Sequence, residues 1–185
     1  MILAINKRPG AMPLFFIEMG QGLVGPGNDL RIKTSALYSC TFIAAYNKDT
    51  QRGGAFHYPS ESINSSEVLE AMNQWMRELQ PNEAAVVTLV TAASFGMSTG
   101  GAPPQDIIDL KNWVAQYCKV APTLTSAVGA GMAIVESSLQ AGSILNLDGD
   151  FEPDGDYTDV SWRSAGKLAD HPEFTLFGYN MESRR

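Results

Sequence analysis

Cysteine and histidine are scarce in this chain, at 2 residues each among 185. Two cysteines cannot build the disulfide framework of a small secreted domain, so the fold must rest on its own apolar core. Two histidines and two cysteines at wide spacing make no zinc constellation, and no metal is expected. Basic residues are outnumbered, 13 Lys and Arg against 20 Asp and Glu, for a net charge of −7. That balance argues against a nucleic-acid partner and against anionic membrane surfaces. No apolar run approaches the roughly 20 residues of a spanning helix, so no membrane insertion is expected. The apolar start, Met1 to Asn6, is too short for a signal peptide and is cut off by Lys7-Arg8-Pro9-Gly10. The expected location is the cytoplasm, or outside the cell by a route that needs no signal peptide. Nucleotide fingerprints are missing too. Gly20 to Asn28 is glycine-rich but lacks the lysine and the serine or threonine of a Walker sequence, and it reads as a mobile connection. No cofactor is expected.

What remains is 44% hydrophobic and 18% charged, the composition of a globular protein. We expect one domain over residues 1–185, of α+β class. The scarce residues are not scattered. Cys40 and His57 both lie between Thr34 and Pro59. Cys40 leads into the apolar run Thr41-Phe42-Ile43-Ala44-Ala45-Tyr46, and His57 closes Gly53-Gly54-Ala55-Phe56. Between the runs lies Asn47-Lys48-Asp49-Thr50-Gln51-Arg52, a polar connection of hairpin type. A hairpin would place Cys40 and His57 at the same end of the strand pair, as a thiol nucleophile and its base require. The plainer reading is a buried small hydrophobe and a structural imidazole.

The same stretch resembles the core signature of the chemoreceptor glutamine deamidase (CheD) family, whose fold is shared with the cytotoxic necrotizing factor toxins. The family pattern is a threonine, a short run ending in Ser-Cys, a strand, a polar turn, and Gly-Gly-x-x-His before a hydrophobic residue and proline. Thr34, Ser39-Cys40, Gly53-Gly54-Ala55-Phe56-His57 and Tyr58-Pro59 fill those places. The steps of six residues from Thr34 to Cys40 and seventeen from Cys40 to His57 are similar to the family's spacing. The close likeness covers about 25 residues, and Leu37-Tyr38-Ser39-Cys40 stands where the family usually has Leu-Gly-Ser-Cys. The resemblance implies a β-sandwich-like core flanked by helices. It implies catalytic roles for Cys40, His57 and Thr34, and a protein substrate carrying a reactive glutamine.

On that reading Cys40 attacks a carboxamide carbon, ammonia leaves, and water hydrolyses the thioester. A neighbouring imidazolium is expected to lower the thiol pKa from its ordinary value of about 8.5. Thr34 would hold the imidazole in its useful tautomer, as the third member of a triad does. Ser39, Gln21, Ser98 and Thr99 are candidates to shape the pocket, and the sequence does not select among them. Two other readings stay open: a thiol acyltransferase of transglutaminase type, in which an amine takes the thioester, and a non-enzymatic binding module on the same scaffold.

Around this centre the pattern predicts further elements. Pro13 to Met19, Asp29 to Thr34, Ala84 to Ala93 and Ser143 to Leu147 read as strands, as do Tyr157 to Trp162 and Phe174 to Asn180. A helix capped by Asn64 carries Val68, Leu69, Met72, Trp75, Met76 and Leu79 on one face and stops at Pro81. A second runs roughly from Gln105 to Lys119, with Cys118 as a structural residue near its end. Thr123 to Ser137 opens as a strand, with a helix through Met132 to Leu139 as the alternative. Counted from Asp148, the acidic stretch that runs to Asp156 meets Pro153 and then Asp159 at the positions where an EF-hand needs glycine and glutamate, so it reads as a solvated turn. His171 is expected to be exposed in a polar turn.

Overall fold

A computed structural model describes residues 13–27, 30–37, 39–60, 62–92, 104–127, 133–140, 143–148 and 157–178. Residues 1–12, Tyr38, the Ser98-Thr99 pair and nearly all of the acidic stretch lie outside these residues. Among the described residues, strands β1 (Leu14–Phe16), β2 (Gln21–Pro26), β3 (Leu30–Leu37), β4 (Thr41–Asn47) and β5 (Arg52–Tyr58) come first. Helix α1 (Ser66–Leu79), β6 (Ala85–Ala92) and helix α2 (Gln105–Cys118) follow. Then come β7 (Thr123–Ala127), β8 (Ala133–Gln140), β9 (Ser143–Asp148), β10 (Thr158–Asp159), β11 (Gly166–Lys167) and β12 (Thr175–Gly178).

The strands form two sheets, one ordered β10-β1-β3-β8-β9 and the other β11-β12-β2-β5-β4-β6-β7. The strand period of two sorts their side chains. In β4, Phe42, Ala44 and Tyr46 face the other sheet, where Phe15, Leu30 and Ile32 meet them in one buried cluster. Ile43 and Ala45 point the other way and join Val68, Met72, Trp75, Met76, Leu79, Leu110 and Val114 of the helices in a second cluster. The architecture is α+β in three layers: sheet, sheet, helices. Both helices of the described residues pack against the seven-stranded sheet.

The expected helical stripe of α1 is the buried one, with Leu69 at its margin. Its start differs. Asn64 belongs to a 3-10 turn, Ser65 occupies the N-cap without a side-chain bond, and Gln80 in the left-handed region ends the helix before Pro81. The glycine-rich stretch is a strand rather than a mobile connection: β2 lies inside its sheet between β12 and β5. Its glycines are there because neighbours crowd it. A Cβ on Gly22 would sit 2.3 Å from the Phe56 ring. The alternative helix over Met132 to Leu139 is also excluded, since Ala133–Gln140 is β8, antiparallel to both β3 and β9. The first closing strand shrinks to Thr158–Asp159; the second is a strand over Thr175–Gly178, and the last two residues of its expected span lie outside the described residues.

The β4–β5 hairpin forms as the pattern predicts, from Asn47 opposite Arg52 to Thr41 opposite Tyr58. Asn47 Oδ1 accepts the N–H groups of Asp49 (3.0 Å) and Thr50 (3.4 Å), and Gln51 takes a positive φ of 57° to close the turn. Gly54 has a stricter reason to be glycine, since a Cβ there would stand 2.0 Å from the Leu23 carbonyl of β2. Gly54→Ala therefore has to push β2 away from β5. We expect it to cost roughly 3 kcal/mol in urea unfolding; a loss within experimental error would show that the two strands separate freely.

Candidate active site

The site is built across the sandwich. Thr34 comes from β3 in the five-stranded sheet, and His57 from β5 in the seven-stranded one. His57 stands opposite Phe42 in the hairpin, so it shares Phe42's face and points between the sheets. Cys40, two residues before Phe42, packs in the same inter-sheet cluster. The β3–β8 register shifts between Thr34 and Leu37, an irregularity of the kind that re-aims side chains beside functional sites.

Thr34 Oγ1 lies 2.6 Å from His57 Nδ1 and 2.9 Å from the Ile17 carbonyl oxygen. A hydroxyl carries one proton and the carbonyl can only accept, so that proton goes to Ile17. Thr34 Oγ1 must then accept from His57, and His57 carries its proton on Nδ1. Nε2 keeps its lone pair. It is buried, and among the described residues it has no hydrogen-bond partner. An unpartnered basic nitrogen in a closed interior costs stability, and it is the atom a general base needs.

Burial sets the charge of both groups. Thr34 and His57 are fully buried and Cys40 is 6% exposed. Burial pulls the His57 pKa from an ordinary 6.5 down to about 4, so the imidazole is neutral near pH 7. Burial also raises the Cys40 thiol; a backbone hydrogen bond from Ser60 acts in the opposite direction, and the Asp106 and Glu18 carboxylates raise the thiol further. The expected imidazolium–thiolate pair is therefore corrected to a neutral imidazole and a neutral thiol. Charge separation between them is too costly at this depth for the resting state. Cys40 Sγ instead donates to Met19 Sδ at 3.7 Å.

Of the pocket candidates, Gln21 is fully buried at the start of β2, the strand paired with β5, and Ser39 is half-buried, while Ser98 and Thr99 lie outside the described residues. The parts that sequence reasoning missed are the Ile17 carbonyl, Met19 and the Ser60 backbone. A backbone carbonyl leaves no signal in residue identity. Cys118 is fully buried in the helical layer, its thiol pushed up to about 11 by burial. Both cysteines are free. His171 is half-buried rather than exposed, its ring set edge-on against Phe15 at 5.2 Å. Among the described residues no group of three His, Cys, Asp or Glu side chains could hold a metal ion, and no helix is long and apolar enough to cross a membrane. No protein-family model matches the chain, and no curated protein matches it either.

The depressed His57 pKa links folding to pH. Below about pH 6.5 the unfolded imidazole takes a proton that the folded one refuses until about pH 4. The stability that depends on neutral His57 is complete above pH 6.5 and is lost as the pH falls toward 4. The loss amounts to roughly 3 kcal/mol. Urea titrations of the parent and of His57→Gln from pH 7.5 to about pH 4 should diverge by this amount; parallel curves would mean that the imidazole is not held neutral.

Proposed function

We propose that the chain is a cysteine-dependent amidohydrolase that deamidates glutamine side chains of a protein substrate. The observation that carries this reading is the Thr34–His57 hydrogen bond, which leaves a lone pair on Nε2 on the face that Cys40 shares. The likeness of residues 34–59 to the deamidase signature supports it. Because the resting couple is neutral, His57 acts as a general base during attack rather than as the partner of a preformed thiolate. Nε2 takes the thiol proton as Sγ bonds to the carboxamide carbon. The Ser60 backbone hydrogen bond favours negative charge on the sulfur while that transfer proceeds. Collapse of the tetrahedral adduct expels the nitrogen, which receives the proton from Nε2 and leaves as ammonia. Nε2 then deprotonates a water molecule that attacks the thioester, and Cys40 recovers its proton as glutamate is released.

Attack requires the Cys40 thiol to give up its hydrogen bond to Met19 Sδ. Two surface hollows, one bordered by Asp49, Pro81 and Tyr117 and the other by Trp162, Lys167 and Asp170, do not border Cys40 or His57. The depth of the couple, with His57 fully buried and Cys40 6% exposed, favours a second reading, a binding module without turnover. Ammonia release from an unfolded glutamine-rich protein separates the two, with mass spectrometry locating each amide converted to acid. The enzyme reading expects release that falls by about 10⁴-fold or more in Cys40→Ala and His57→Ala, and by about 10–100-fold in Thr34→Val. An added primary amine that becomes incorporated would redirect the assignment to acyl transfer. Release unchanged in Cys40→Ala, or none from any glutamine-bearing protein offered, would remove the deamidase reading.

A further inference from the structure

The couple is aligned by a turn, and the turn is held by one buried side chain. Glu18 to Gln21 form a reverse turn in which the Gln21 N–H donates to the Glu18 carbonyl at 3.0 Å. Gly20 occupies the third position with φ of 84°, in the left-handed region that a type II turn demands there. This short segment touches all three site residues. The Ile17 carbonyl accepts the Thr34 hydroxyl at 2.9 Å, Gly20 N–H donates to the His57 carbonyl at 2.9 Å, and Met19 Sδ receives the Cys40 thiol at 3.7 Å.

Gln21 is fully buried, and each end of its amide is engaged. Oε1 accepts the Glu18 N–H at 2.9 Å, inside the turn. Nε2 donates to the Val160 and Arg163 carbonyls, both at 3.3 Å, tying the turn to the segment after β10. One donor on one side and two acceptors on the other permit a single orientation of the amide. On the reading that Cys40 and His57 are a catalytic couple, we infer that Gln21 is a positioning residue that sets the tautomer of His57 through the Ile17–Gln21 turn. While Gln21 holds the turn, the Ile17 carbonyl takes the Thr34 proton and the imidazole must be protonated on Nδ1. If the turn shifts, Thr34 is free to donate to Nδ1 instead. The imidazole proton then moves to Nε2, and the base faces Cys40 with an N–H where it needs a lone pair.

Two variants probe the anchor. Gln21→Met keeps the side-chain length and removes both polar ends. Gln21→Glu keeps the acceptor for Glu18 and sets a carboxylate against two carbonyl oxygens. The readout is the two-bond proton–nitrogen NMR spectrum of the His57 ring at neutral pH, which reports the protonated nitrogen without any substrate. The parent protein should show Nδ1–H, and each variant a growing share of Nε2–H. Where the variants also turn over a glutamine substrate, kcat should fall by about 10–100-fold with KM little changed. A structural role alone would lower stability and leave the tautomer as it is. Folded variants that retain Nδ1–H overturn the inference, and so does a parent protein with Nε2–H. Should Gln21→Met fail to fold, the near-isosteric Gln21→Glu carries the comparison. Because the tautomer is read without turnover, it can fail while ammonia release succeeds, and the reverse.

Discussion

One hydroxyl proton organises the site. Thr34 belongs to one sheet and His57 to the other, and their hydrogen bond spans the interior of the sandwich. The Ile17 carbonyl takes the only proton that Thr34 can give, so the imidazole has to donate. Everything that fixes Ile17 and Thr34 therefore also fixes which nitrogen of His57 is basic. The register of β3, the β4–β5 hairpin and the turn before β2 meet at this bond. The helices act from further off: by covering the outer face of the seven-stranded sheet they hold β4 and β5 in place.

Burial decides the chemistry that this geometry allows. A thiol and an imidazole in water could share a proton cheaply, but between two sheets the charged pair is penalised on both sides. The His57 pKa falls to about 4 and that of Cys40 rises, so the resting site is uncharged. An uncharged couple fits the proposed role of His57 as a general base, in which proton transfer accompanies attack. The unpartnered Nε2 is the stability given up for that arrangement.

Much of this was legible in the residues. Two apolar runs around a polar turn identify the β4–β5 hairpin, and alternation within them places Cys40 and His57 at one end. The stripe from Val68 to Leu79 marks α1, because an amphipathic helix needs only its own period. The strand β2 was not legible. Gly22 and Gly25 look like a loop when their neighbours are unknown, and they are glycines because Phe56 and Phe174 occupy the space a Cβ would fill. The strand β8 was ambiguous since its identity comes from pairing with β3 and β9, which are distant in sequence. The charge state was misjudged for a related reason. That the hairpin sets Cys40 and His57 at one end can be read from spacing, but depth of burial depends on the whole sandwich. Gln21 was one of four polar candidates, and only its three carbonyl and amide partners distinguish it.

The proposed activity depends on a working proton path between Cys40 and His57. The pH dependence of Cys40 alkylation tests it most directly, with Cys118 as the internal comparison and His57→Ala as the control. If Nε2 receives the thiol proton during attack, the reactive species is the neutral thiol–imidazole couple, and its amount does not change with pH between the two macroscopic pKa values. Alkylation of Cys40 should then be nearly flat from about pH 5 to about pH 8. In His57→Ala it should rise about tenfold per pH unit, as a lone thiol does. A slope of about one in the parent protein, unchanged in His57→Ala, or a Cys40 as inert as Cys118 would contradict the proposed couple.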